Sequence, residues 1–493
     1  MLNAVEKLSF YTGFKVVKVF SWIDTISGIV FILLWMFFLF YYIQDNGLRV
    51  ILALFGLFAP FLQLFFGHVE IYAPLIPVIT AYLMSTLVYF KSENKKWLWV
   101  LLVLFLVSLK LHFVSIILFP SLLYCLLYSR KPLLKDWLGW KTGIKWVVFP
   151  AIILGWGIYF FWFGDYNDPR FLDGKVGDLE RLFLPILSPE TPLDRYNLFS
   201  FNHLLDFFNV FFLWSGAGIL LLLVSLLNYK SVNWNKPEVV VLGISLIFFV
   251  CFFFMINPLL SMPMDWDLFS IPGPIFLLFL VAVFKQVEKK KWIMYLLWPS
   301  IILSFFSVSI YYTNSSQIEN NDRLVTVGKH VFKTYWIRSA GNILAGLDNN
   351  NVGDINELEL IIDDLEPFAI LEKDLEYAIL LMNVGKYYRT HNQVEKGLEY
   401  HLKSLAYSSS YKVNHIGLME SYYRLERYKE ALTVCKKLIE ARYPSESNAL
   451  RMGIDCALQA KENNRAIAYC NKYLILEPND KEIFELRKKI MGN

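Results

Sequence analysis

Apolar residues between Trp22 and Tyr312 occur in about ten long blocks that are separated by short polar loops. A hydrocarbon core of roughly 30 Å needs about 20 helical residues to cross it, and most of the blocks approach that length. The pattern therefore predicts an all-α chain with a polytopic membrane domain over residues 22–312. The predicted spans are 22–43, 48–66, 71–90, 97–109, 113–128, 146–163, 208–227, 239–257, 269–284 and 292–312.

Two of these blocks, 97–109 and 113–128, are short for a span. They predict either a re-entrant pair or helices that continue into their flanks. Before the first block, residues 1–21 mix lysines with apolar positions, which is typical of an amphipathic helix at the membrane interface and not of a cleaved signal peptide.

After Tyr312 the chain turns polar and stays polar to Asn493. We interpret 313–354 as a linker and 355–493 as a soluble helical domain. A repeat of about 34 residues runs through this domain, with predicted units at 377–410, 411–445 and 446–480. Residues 355–372 fit a degenerate helix that caps the stack.

Equivalent positions of the repeat carry small or aromatic residues, as stacked helix pairs require. The small positions are Gly397, Ala431 and Ala466; upstream of them stand Gly385, Met419 and Ile454, and then Tyr388, Tyr422 and Ala457. The stretch Tyr422–Leu432 resembles the tetratricopeptide pattern. That resemblance implies an α-solenoid with a concave surface for a protein or peptide partner, or else a spacer over the membrane domain.

Composition agrees with a membrane protein, since 56% of the 493 residues are hydrophobic and only 18% are charged. The net charge of +4 is spread along the chain, and no basic stripe with interleaved aromatics argues for a nucleic-acid partner. The five cysteines show no metal-binding spacing, so we interpret them as small core residues.

The distribution of lysines and arginines indicates on which side of the membrane each loop lies. The loops 91–96, 129–145 and 285–291 are basic, and the span count places all three on one side, which is then cytoplasmic. The acidic, proline-containing 164–207 loop falls on the other side. We therefore expect a multi-pass protein of the cell's inner (plasma) membrane, with its soluble domain and its N-terminus outside the cytoplasm.

Three polar motifs stand at the outer ends of the predicted spans. They are GHVEIY (67–72), NHLLDFFN (202–209) and MDWDL (264–268). Because ionisable residues are costly at a membrane boundary, their convergence on one face predicts a functional site. Its candidate members are Glu70, Asp265 and Asp267 as catalytic carboxylates, and His68, His112, His203, Asp206 and Asn209 as substrate-binding residues.

Each candidate also has a structural explanation. His68 and Glu70 suit an interfacial position beside an aromatic belt residue, Tyr72. His203, Asp206 and Asn209 are spaced i, i+3, i+6 and predict one polar stripe, which a solvated helix would also show.

The aspartates of the third motif have two interpretations. Asp267 suits an N-cap of the 269–284 helix. With Asp265 it also suits a divalent cation, Mg²⁺ or Mn²⁺, because such ions prefer carboxylate oxygens. No set of residues has the spacing of a firm metal site.

The order GHVEIY, an outer turn with a histidine, NLFSFNHLLDFFN, DWDLF and then tetratricopeptide-like repeats resembles bacterial glycosyltransferases of the GT-C class. The resemblance covers most of residues 20–490. It implies a polyprenyl-phosphate-linked sugar donor, transfer on the outer face, and a helical bundle that cradles the lipid tail.

The chain also departs from the GT-C pattern. Members of the class carry a catalytic Asp or Glu in the first outer loop, after an initial span, and this chain begins at what would be the end of that loop. Together with the outer N-terminus, the departure leads us to expect a natural reading frame that extends upstream by roughly 50–120 residues, with one further span.

Three functions remain as hypotheses. The first is a glycosyltransferase, and the second is a non-catalytic membrane-anchored scaffold for protein interaction outside the cytoplasm. The third is a transporter, which predicts broken helices and charges at mid-membrane depth, and the near absence of charges in the spans counts against it.

Overall fold

The computed structural model describes residues 15–65, 72–128, 183–187, 196–257, 261–287, 298–299, 302–303, 317–334, 339–349 and 355–492. These residues form an all-α protein, as the sequence predicts. Within these ranges the only pairing of extended backbone is a bridge between Phe183 and Ile256. The chain divides into two compact units, and the second is Ile318–Asn493.

The first unit is built from apolar helices. In chain order the α-helices are Val16–Tyr42 (α1), Asn46–Leu57 (α2), Leu75–Ser92 (α3), Lys96–Leu111 (α4), Phe119–Tyr128 (α5), Phe201–Leu227 (α6), Pro237–Met255 (α7), Trp266–Phe269 (α8) and Gly273–Phe284 (α9). Short 3-10 helices cover Pro60–Phe65, Phe113–Leu118 and Tyr229–Ser231.

Among the residues that the structure describes, four helical segments are long and apolar enough to cross a membrane: α1, α3, α7 and the stretch Trp266–Phe284. A fifth is added if α6 counts as one bent span, since its two parts, Phe201–Gly216 and Gly218–Leu227, meet at 98°. The first unit therefore has the composition and helix lengths of a membrane-associated domain. The predicted spans 146–163 and most of 292–312 lie outside the described residues.

The predicted segments 1–21 and 48–66 differ from the helices observed. The first helix already begins at Val16, so residues 16–21 continue into it, and residues 1–14 lie outside the described part. The block 48–66 is divided into α2 and a 3-10 helix that starts at Pro60. Proline has no N–H to donate, which favours a break at this place.

The bend in α6 lies at Ser215, whose backbone is extended (φ −173°, ψ 106°). The Ser215 hydroxyl accepts a 3.0 Å hydrogen bond from the N–H of Gly218, which satisfies a backbone donor that the break exposes. Gly218 packs so closely on Phe276 and Leu280 of α9 that an added Cβ would lie 3.0 Å from each.

One end of the first unit gathers basic residues. The ammonium groups of Lys91 and Lys285 lie 4.0 and 3.8 Å from the ring centroids of Tyr41 and Tyr42, at the end of α1. The loops that follow α3 and α9 therefore lie at the same end of the helical bundle.

The second unit contains ten α-helices in its described part. They are Gln317–Thr334 (α10), Ser339–Asn349 (α11), Ile355–Leu365 (α12), Leu375–Thr390 (α13), Val394–Tyr407 (α14), Lys412–Arg424 (α15), Tyr428–Glu440 (α16), Glu446–Gln459 (α17), Asn463–Leu476 (α18) and Lys481–Met491 (α19). Helices α13 to α18 form three consecutive pairs joined by tight turns.

Those turns repeat in geometry. Asn392, Glu426 and Lys461 have left-handed φ values of 60°, 56° and 61°, and they are 34 and 35 residues apart. In each turn the next N–H donates to a carbonyl five residues back, namely Tyr388, Tyr422 and Ala457, at 2.9, 2.9 and 2.8 Å. This is the helix-ending bond of a Schellman motif, and its carbonyl positions are those that the sequence repeat marks as equivalent.

The region expected to be a linker, 313–354, contains α10 and α11 instead. Phe332, Ile343 and Leu347 are buried in a core that they share with Ile362 of α12. Polar residues interrupt the apolar faces of α10 and α11 in the sequence, so the helical pattern is weak. Burial against α12 and α13 stabilises the two helices.

Candidate functional site

The NHLLDFFN motif forms the first turns of α6. Ser200 precedes the helix, and its hydroxyl accepts a 3.3 Å hydrogen bond from the N–H of His203, as an N-cap does. His203 is fully buried and Asp206 is 7% exposed. Both face the core, so the i, i+3 spacing predicted their shared face correctly.

Asn209 differs from the predicted stripe, because it is exposed. Six residues advance a helix by about 600°, so Asn209 lies about 120° around the axis from His203. The buried polar face therefore contains His203 and Asp206 but excludes Asn209.

A tyrosine that the sequence analysis did not select completes this cluster. The Tyr196 hydroxyl donates a 2.8 Å hydrogen bond to Asp206 Oδ2, and its ring lies edge-on to the His203 imidazole at 5.2 Å. His203 also lies 4.9 Å from the ring of Phe254. Both imidazole nitrogens are buried, and the backbone of Phe254 lies within hydrogen-bonding reach of the ring. A buried imidazole on the same helix face as a carboxylate is a candidate to contact a polar ligand.

The DWDLF motif is the short helix α8. Asp267 is 5% exposed and Asp265 is half-buried. The following helix, α9, has Pro272 at its N-cap position with no side-chain cap, so Asp267 is not the cap of that helix. The indole N–H of Trp214 in α6 donates a 2.6 Å hydrogen bond to the carbonyl of Phe269, which fastens α8 to α6.

His112 lies between α4 and the 3-10 helix Phe113–Leu118. Its Nδ1 accepts a 3.2 Å hydrogen bond from the N–H of Val114, and its ring lies edge-on to Tyr72 at 5.1 Å. Tyr72 is the last residue of the GHVEIY motif. His68 and Glu70 of that motif lie outside the described residues.

The C-terminal end of α7 joins two of the motifs. The ring centroid of Phe253 lies 5.1 Å from that of Phe269. The ring centroid of the adjacent Phe254 lies 4.9 Å from that of His203. NHLLDFFN and DWDLF therefore flank the same helix end, although about 60 residues separate them in the sequence.

The start of α9 approaches the third motif. A Cβ added at Gly273 would lie 2.5 Å from Cδ1 of Phe61, in the 3-10 helix that leads towards GHVEIY. The segment that precedes GHVEIY in the sequence is therefore packed on the segment that follows DWDLF.

Asp24 is a carboxylate that the sequence analysis missed. It lies in α1, is fully buried, and stands one turn before Gly28 on the same helix face. An added Cβ at Gly28 would lie 2.5 Å from Cβ of Phe65, the last described residue before the GHVEIY segment. A single aspartate at the start of an apolar block was the available signal, and a buried carboxylate in such a helix is a candidate site residue by default.

No three His, Cys, Asp or Glu residues within the described ranges are grouped so that they could hold a metal ion. No protein-family model, curated protein or solved structure matches this chain. Its function must therefore be argued from these residues.

Proposed function

We propose that this chain is a GT-C-type membrane glycosyltransferase, which transfers a sugar from a polyprenyl-phosphate donor to an acceptor on the non-cytoplasmic face of a bacterial inner membrane. The observation that carries the proposal is the meeting of NHLLDFFN and DWDLF at the end of α7. It brings a buried carboxylate, Asp267, and a buried imidazole, His203, to one end of an apolar bundle suited to a lipid-linked substrate.

The proposed reaction is a single displacement with inversion. A carboxylate takes the proton of an acceptor hydroxyl while that oxygen attacks the anomeric carbon of the sugar. The bond from the anomeric carbon to the phosphate oxygen breaks, and polyprenyl phosphate leaves with the electron pair.

We assign base assistance to Glu70, Asp265 and Asp267, and the last two also suit Mg²⁺ or Mn²⁺. His68, His112 and His203 would contact the donor phosphate or sugar, and Asp206 the sugar hydroxyls. To these we add Asp24, because it is a fully buried carboxylate one turn before Gly28, which packs on Phe65.

The experiment is a transfer assay on membranes that contain the full chain, with a panel of radiolabelled polyprenyl-phosphate hexoses and pentoses as donors. Glu70→Gln, Asp265→Asn and Asp24→Asn should each lower transfer, and for Glu70 and Asp265 the loss should reach the roughly 10²–10⁴-fold of acid–base participation. Glu93→Gln is the matched control, since Glu93 is exposed at the opposite end of α3. Transfer that is unchanged in all three variants would refute the assignment.

A second function is favoured by the recurring turns of the second unit. We infer a tetratricopeptide α-solenoid from the left-handed residues 34 and 35 residues apart, and with it a surface for a protein or peptide partner. If no donor of the panel supports transfer by the unaltered chain, a membrane-anchored scaffold becomes the better explanation. Crosslinking on intact cells would then identify its partner.

A further inference from the structure

Two buried cysteines of the second unit lie in direct contact. Sγ of Cys435 in α16 is 3.3 Å from Sγ of Cys456 in α17, and the two residues are 0% and 1% exposed. A third cysteine, Cys470 in α18, is also fully buried. The sequence spacing of 21 residues between Cys435 and Cys456 had suggested no pairing.

The two sulfurs are in contact without being bonded. Cys435 and Cys456 stand on consecutive helices joined by a short connection, so their side chains meet across one helix–helix interface. A disulfide has an S–S distance of about 2.05 Å, so the sulfurs need to approach by a little over 1 Å.

We propose that Cys435 and Cys456 form a disulfide that ties α16 to α17 when the second unit faces an oxidising compartment. This rests on the outward orientation contained in the proposed function. Two thiols lose two electrons and two protons as the S–S bond forms. A disulfide of the thiol–disulfide exchange class, such as oxidised glutathione, takes up both and leaves as two thiols, through a mixed-disulfide intermediate.

Burial of the two thiols limits when the disulfide can form. The neighbouring Cys456 thiol and burial both raise the pKa of Cys435, so the reactive thiolate is scarce in the closed unit. The bond therefore forms while the helix pair assembles, or during a transient opening of α16 from α17. Once formed, it closes a loop across the turn between the two helices and is shielded from reductants.

The experiment uses the full chain purified in detergent and incubated with oxidised and reduced glutathione under mild urea, which permits opening. After acid quenching, free thiols are alkylated and the protein is digested with trypsin. The relevant peptides are 430–436, 452–461 and 466–472, which carry Cys435, Cys456 and Cys470. We expect peptides 430–436 and 452–461 to be linked in more than half of the molecules, with Cys470 alkylated.

Variants make the assignment specific. Cys470→Ala should leave the linked pair in place, whereas Cys456→Ala should abolish it and leave Cys435 alkylated. If Cys435 and Cys456 are both recovered as free thiols from oxidised protein, or if Cys470 is linked as often as Cys456, the proposed pair is wrong.

The same peptides from cells quenched directly in acid separate this proposal from the proposed function. A linked pair as isolated supports both the disulfide and the outward orientation. A pair that is free in cells but links in the purified chain overturns the outward orientation and retains the pair. Loss of glycosyl transfer in the assay above has no bearing on either result.

Discussion

The hydroxyl of Tyr196 donates a hydrogen bond of 2.8 Å to the carboxylate of Asp206, and both side chains are buried. The bond joins the segment before α6 to the second turn of that helix. It also places the tyrosine ring against His203, so that the polar face of α6 is covered by a residue from outside the helix.

Tyr196→Phe should lower the stability of the first unit by about 1–3 kcal/mol. The ring contact with His203 is kept, but a buried carboxylate loses a hydrogen-bond donor. Thermal unfolding of the full chain in detergent measures the change. Tyr229→Phe is the control, because that ring is 55% exposed, and equal effects of the two substitutions would contradict the assigned role of Tyr196.

Gly28→Ala should destabilise the first unit by about 1–3 kcal/mol through overpacking. The new methyl would lie 2.5 Å from Cβ of Phe65, so α1 and the 3-10 helix must move apart to accept it. Gly216→Ala is the comparison, since the nearest atom to its added Cβ is Cδ1 of Phe212 at 3.6 Å. Similar unfolding midpoints for the two variants would show that α1 and the 3-10 helix are not packed this closely.

The second unit should lose stability on acidification because of His401. This side chain is fully buried, and its Nδ1 lies 2.7 Å from Oδ1 of Asn414. Burial, assisted by the charge of Arg389, lowers the pKa of His401 to about 4. In the unfolded chain the pKa of His401 is near 6.5, so the unfolded state binds a proton first as the pH falls. Stability is therefore lost between about pH 6.5 and 4.

The loss assigned to His401 between pH 7 and 5 is about 2 kcal/mol. Scanning calorimetry of the full chain at pH 7 and pH 5 measures this loss of stability. The loss should be smaller by that amount in His401→Gln than in the unaltered chain, whatever the stability of the variant at pH 7. His391→Gln serves as the control, because His391 is exposed and should follow the unaltered chain. A pH profile of His401→Gln parallel to that of the unaltered chain would exclude His401 as the cause.

Protease added to intact spheroplasts should remove the chain beyond about Asn314. The reason is the basic end of the first unit, where Lys91 and Lys285 meet the tyrosines at the end of α1, because basic loops stay in the cytoplasm. A cytoplasmic marker protein must stay intact in the same sample. A tail that is cleaved only after lysis would reverse the orientation and move the three motifs to the cytoplasmic face.

The helical class of the protein follows from local pattern. Apolar blocks of near-membrane length predict the long helices, and their composition is decisive because a backbone in lipid must satisfy its own hydrogen bonds. The spacing of Tyr388, Tyr422 and Ala457 likewise anticipates the recurring turns of the second unit, since each repeat folds through contacts close in sequence. The pairing of His203 with Asp206 on one face required no more than helical periodicity.

Other features depend on contacts between residues distant in sequence, and no periodicity encodes them. Asp24 looked like one polar interruption of an apolar block, and it is buried in the stretch of α1 that packs on Phe65 through Gly28. Cys435 and Cys456 become a pair only when α16 packs on α17. The sequence analysis did not predict α10 and α11 for the same reason. Their weakly amphipathic faces are stabilised by burial in a shared core and not by their own sequence.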